Sequence, residues 1–165
     1  MQYWSDLATI FVALANFMLA FYIFFRNNKK DDLEKEKDRR IYYLKTLVLD
    51  HNFNKFYDFF DRLENKLEGL KVAAITEEEK RQILVDTDDL FIWFSRKFID
   101  TLLAIDDDLY NSVLNCSDEL QKTINDAVGN EGINLSHPPK YDEEINQKLT
   151  RFKTSIIKKL FDYRG

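Results

Sequence analysis

Residues 53–70 read FNKFYDFFDRLENKLEGL. Phe53, Phe56, Phe60, Leu63, Leu67 and Leu70 recur at steps of three and four, the spacing of one helix face laid along a partner. Gly69 and Lys71 at its end suit a helix C-terminus. Thr76 and Glu79 form a capping-box pattern, so the next helix starts there. Its apolar face, Leu84, Phe91, Phe94, Phe98, Leu102 and Ile105, predicts about 28 residues of continuous helix at 3.6 residues per turn. Asp106, Asp107 and Asp108 break that pattern and can cap a further helix whose face is Tyr110, Val113, Leu120, Ile124 and Val128. Residues 129–140 hold two of the four glycines and both prolines and read as the one loop. A last helix carries Ile145, Leu149, Phe152, Ile156 and Leu160. The expected fold is all-α: an antiparallel helical bundle.

Upstream, Leu7 to Phe25 is 19 residues without a charge. At ~1.5 Å per residue that helix spans roughly 30 Å, the thickness of a bilayer core. The stretch before it has no Lys or Arg, and the run ends in Phe21-Tyr22-Ile23-Phe24-Phe25, too bulky for signal-peptide cleavage. A transmembrane anchor is therefore expected. Arg26, Lys29, Lys30, Lys35, Lys37, Arg39 and Arg40 follow it, which by the positive-inside rule puts the C-terminal part in the cytoplasm and the N-terminus outside. Tyr3 and Trp4 suit the outer interface and Tyr22 the inner one. The expected organisation is an anchor over 1–28, a charged juxtamembrane helical stalk over 29–50 and a cytoplasmic helical domain over 51–165.

The net charge of −5 is unevenly spread. Residues 26–45 carry 8 basic and 5 acidic side chains, and residues 46–165 carry 16 and 23. The positive stretch makes Arg26, Lys29, Lys30, Arg39 and Arg40 candidates for anionic lipid head groups. The acidic remainder excludes a broad surface for long nucleic acid.

Ser5, Thr9, Ala13, Asn16 and Ala20 form one narrow stripe of small or polar side chains on the anchor. Small residues let helices approach closely in lipid, and an Asn there seeks a partner amide, so the stripe predicts self-association into a homo-oligomer. In a ring of copies the same stripe could line a water-filled path.

The search for chemistry is short. Cys116 is the sole cysteine, which excludes an intrachain disulfide and a cysteine zinc site. His51 and His137 have no second ligand at metal spacing. No phosphate loop, nucleophile elbow or kinase signature occurs. Asp86, Asp88, Asp89 and the triplet at 106–108 read as solvated faces and caps. No cofactor, metal or catalytic residue is expected, although an enzyme with an unfamiliar carboxylate site is the alternative, as is a membrane-tethered scaffold. Trp93, Arg96 and Lys97 are the candidate ligand-binding group, because an aromatic ring beside basic groups can stack on a base and hold a phosphate. The plain alternative has Trp93 packing at a bundle edge with both cations in water. The last helix adds Arg151, Lys153, Lys158, Lys159 and Arg164.

One short N-terminal span with a small helical cytoplasmic domain resembles the small membrane effectors of prokaryotic antiviral defence systems, including those driven by cyclic oligonucleotides. The likeness is one of layout over the whole chain, and no functional residue is carried over. Asn-, Lys- and Asp-rich, Gly-poor usage is compatible with a prokaryotic source. The expected function is a non-enzymatic membrane-anchored module that self-associates through its anchor and recognises a cytoplasmic partner or signal. The resemblance adds, as the second reading, membrane disruption or channel formation gated by a small anionic ligand such as a cyclic oligonucleotide.

Overall fold

The computed structural model describes the backbone of residues 2–130 and 132–165, and the side chains of residue 11, residues 14–130 and residues 132–165. Within these residues the chain is all-helical, with no strand. It divides into two compact units, Met1–Arg39 and Arg40–Gly165.

The first unit is most of one helix, α1 (Gln2–Tyr43). Every described side chain from Leu14 to Lys35 is exposed. Phe17, Phe21 and Phe25 form an i, i+4 aromatic row, with ring centroids 6.1 and 4.6 Å apart. Among the described residues no helix is long and apolar enough to cross a membrane. The expected span Leu7–Phe25 is only partly covered by that statement, since residues 7–10, 12 and 13 lie outside the described side chains.

The second unit is the bundle. The last turn of α1 runs into a π-helical turn, Leu44–Leu49, that buries Leu44 and Val48. Then come α2 (Phe53–Leu67), α3 (Glu77–Lys97), α4 (Asp107–Gly129), the short α5 (Pro138–Tyr141) and α6 (Gln147–Asp162). Facing residues show the directions. Lys66 meets Asp86 while Phe56 meets Phe98, so α2 and α3 are antiparallel. Asp88 accepts from Gln121 across α3 and α4, and Ser112 accepts from Lys159 across α4 and α6.

The α2 seam packs as its spacing predicts. Phe56, Phe60, Leu63, Leu67 and Leu70 are buried, Phe53 partly so. Phe59 joins them and is stacked on Phe94 with centroids 4.1 Å apart and an interplanar angle of 12°. Phe94 also touches Phe56, Phe60 and Phe98. The Thr76–Glu79 capping box is present with both reciprocal bonds, and Asp106 caps α4 by accepting from the Leu109 amide at 2.9 Å.

Two local expectations need correction. The third helix is not 28 residues long. It ends at Lys97, Phe98 takes φ −127° and ψ −58°, and Ile99–Ala104 forms a 3-10 turn. Phe98 and Ile99 are both fully buried, and the tightening to three residues per turn puts Ile99 and Leu102 in line on the core side. Gly69 and Lys71 do lie at the end of α2, which stops at Leu67. Gly69 sits in the 3-10 turn Glu68–Lys71, where a Cβ would come within 3.0 Å of Ile83 Cδ1, so its role is close approach to α3. The one left-handed non-glycine residue among those described is Ala74, φ 65°, in the link to α3. The loop also ends earlier than expected: Pro138 and Pro139 start α5, a π turn over Asp142–Asn146 leads into α6, and Leu135 and Tyr141 are buried.

Truncating the centre of the aromatic cluster should be costly. Phe94→Ala is expected to destabilise the bundle by about 3–5 kcal/mol, because a large fully buried ring leaves a cavity. The shift of the urea midpoint, at unchanged m-value, is the measurement.

Candidate functional site

Trp93 lies on α3, half-buried against the core. The Arg62 guanidinium, which also pairs with Asp58, stands 5.1 Å from the indole centroid. One face of the ring therefore already carries a cation from α2. Arg96 and Lys97 are exposed and make no hydrogen bond or ion pair among the described residues. They follow the last buried turn of α3, where positive charge also suits the helix C-terminus. No cavity among those described includes Trp93, Arg96 or Lys97. Arg62 thus covers one face of the indole, and both cations of the group are exposed.

Two members of the acidic clusters, Asp86 and Asp88, tie α3 to its neighbours. Asp86 accepts from Lys66 on α2 and from Gln82 on its own helix, and these bonds hold its carboxyl below the usual value. Asp88 accepts from Gln121 at 2.7 Å. Glu144 is held low by Lys148 and Lys140. Among the described residues there is no group of three or more His, Cys, Asp or Glu side chains able to hold a metal ion.

Asp106 has a double task that sequence spacing did not reveal. One carboxylate oxygen caps α4 and the other accepts from Arg40 at the end of α1. Tyr163, beyond α6, places its buried hydroxyl beside Arg40 and Asp106. Burial pushes that phenol upward, partly offset by Arg40. Tyr141 is likewise pushed up, by burial first and then by Glu68 and Glu64, with the Lys71 ammonium 4.7 Å from its ring centroid.

Of the five head-group candidates, Arg26, Lys29 and Lys30 are exposed and form no ion pair among the described residues. Arg39 pairs with Glu36, and Arg40 is engaged with Asp106. Of the stripe, the side chains of Ser5, Thr9 and Ala13 lie outside the described residues, while Asn16 and Ala20 are exposed.

No protein-family model, no curated protein and no solved structure matches the chain.

Two outcomes test these placements. Asp106→Ala removes cap and ion pair together and should cost about 1–2 kcal/mol. Asp106→Asn keeps the cap oxygen and should cost less than about 1 kcal/mol, as should Arg40→Gln. Urea unfolding of the three variants gives the ranking. Separately, Glu79, Asp86, Asp142 and Glu144 all have lower values folded than their ordinary 4.5 or 3.8. Their stabilisation is complete above those ordinary values and is lost as pH falls through and below them. The urea midpoint should drop between about pH 6 and about pH 3, with a shallower slope in Asp86→Asn.

Proposed function

We propose that the protein is a non-enzymatic, membrane-anchored helical module. Residues 7–25 cross the bilayer with the N-terminus outside. The bundle, Arg40–Gly165, faces the cytoplasm and recognises a partner or signal there. The observation that carries this reading is the exposure of α1. Phe17, Met18, Phe21, Tyr22, Phe24 and Phe25 are each more than half exposed, and Arg26, Lys29 and Lys30 follow at once. Contiguous apolar surface of that kind is unfavourable in water by about 25 cal/mol per Å². Lipid covers an apolar helix all round, and the cations beside it then meet anionic head groups.

In the bilayer the stripe Ser5, Thr9, Ala13, Asn16 and Ala20 meets another copy or another membrane protein. We favour another copy, because a two-fold or ring arrangement lets each Asn16 pair with its equivalent. A module of this layout suits an effector in which a small anionic ligand, of the kind a cyclic oligonucleotide represents, alters the packing of the anchors and opens or disrupts the membrane.

Vesicle flotation tests the anchor. The full chain should float with anionic liposomes and resist alkaline extraction, and a chain lacking residues 1–25 should stay at the bottom. Recovery of the full chain in the soluble fraction would refute the anchor. Asn16→Leu should weaken self-association in detergent by about three- to tenfold, read by light scattering or sedimentation, since one interhelical amide contributes about 1 kcal/mol in lipid.

A further inference from the structure

α4 and α6 do not close completely on each other. Between them lies a cleft of about 310 Å³, with Cys116, Glu119 and Thr123 on one wall and Arg151, Phe152 and Ser155 on the other. We infer that this cleft binds a small phosphorylated, ring-bearing molecule of mononucleotide size, with Arg151 on the phosphate and Phe152 against the ring. The inference rests on reading the bundle as the part that senses a ligand, and it supplies the place and the chemistry.

Arg151 stands out from the other cations around it. Lys140 and Lys148 are tied to Glu144, and Lys140 to Glu143 as well. Arg151 makes no hydrogen bond or ion pair among the described residues, and it borders the cleft at an exposed position on α6. A planar guanidinium in that state offers a bidentate pair of donors matched to a phosphate. Lys148 also borders the cleft, with its ammonium paired to Glu144. One turn along, the Ser155 hydroxyl has no partner among the described residues and can donate, whereas the Thr123 hydroxyl is already bonded to the Glu119 carbonyl at 2.7 Å.

Phe152 gives the second half of the recognition. Its ring is half-buried and packed on the core, so one face is held rigid while it lines the cleft. A flat ring laid on it gains stacking without ordering a mobile side chain. Glu119, on the opposite wall, has no ion pair among the described residues. Its charge disfavours a compact multivalent anion filling the cleft and favours a ligand that presents an amine or hydroxyl donor at the end away from its phosphate. The volume is at the low end for ligand pockets, which suits one nucleotide unit rather than a long chain.

The single cysteine makes the test direct. Cys116 is half-buried in the cleft wall, so an occupant shields its thiol. The full chain in detergent is alkylated with iodoacetamide and followed by intact mass, at constant ionic strength, with AMP, inorganic phosphate or KCl alone. AMP at about 10 mM should slow alkylation about fivefold or more, in proportion to occupancy, and inorganic phosphate should protect less. Arg151→Gln should alkylate at the wild-type rate without AMP and lose the protection. Phe152→Leu should lose the advantage of AMP over phosphate. An AMP effect below about twofold, protection that persists in Arg151→Gln, or equal protection by phosphate would each overturn the inference. None of these measurements depends on flotation, so failure of the cleft and failure of the anchor are separate results.

Discussion

Phe59 and Phe94 lie face to face at the centre of the bundle, 4.1 Å between centroids, and most of the fold is arranged around that contact. Phe56, Phe60, Phe91 and Phe98 pack against the pair, each within 7 Å of at least one of the two rings. Aromatic side chains bury large apolar areas and add orientation-dependent attraction between rings. A cluster of this kind therefore sets the register of α2 against α3 as well as joining them. Once that register is set, Lys66 faces Asp86 and Arg62 covers Trp93. The polar pairs follow the apolar core and do not determine it.

The same dependence explains the irregular turns. Phe98, Ile99, Leu102 and Ile105 all enter the core across this junction. The helix breaks at Phe98 and tightens. At the root of α1 the π turn Leu44–Leu49 packs against that 3-10 turn, and the Arg40–Asp106 pair ties the same region to the start of α4. A single carboxylate thereby satisfies the orphan amides of one helix and the cation of another.

Much of the helical order was legible in advance. The three-and-four spacing from Phe53 to Leu70 identified α2 and its buried face. Thr76 and Glu79 marked the start of α3, and Asp106 the start of α4, because caps are local chemistry carried by adjacent residues. Boundaries that depend on distant partners were not legible. Gly69 marked the end of α2 correctly, but its close approach to Ile83 across the bundle is visible only in the fold. The site residues divide in the same way. Trp93, Arg96 and Lys97 are close in sequence, yet the ring is covered by Arg62 from another helix. By sequence, Arg151 and Phe152 read only as one of the basic residues and one of the core positions of the last helix. Nothing local places them opposite Cys116 and Glu119.

The sequence by itself determined the class of fold, the positions of the helices and the contrast between an uncharged segment at residues 7–25 and the charged chain that follows. Each of these rests on periodicity, capping or composition, which are properties of neighbouring residues. Tertiary structure decided which acids bind which cations, where α3 gives way to a 3-10 turn, and which wall of which helix is left open. Those outcomes come from packing side chains that lie 20 to 66 positions apart in the chain, as in the pairs Lys66–Asp86 and Arg40–Asp106. The spacing of either partner within its own helix does not encode them.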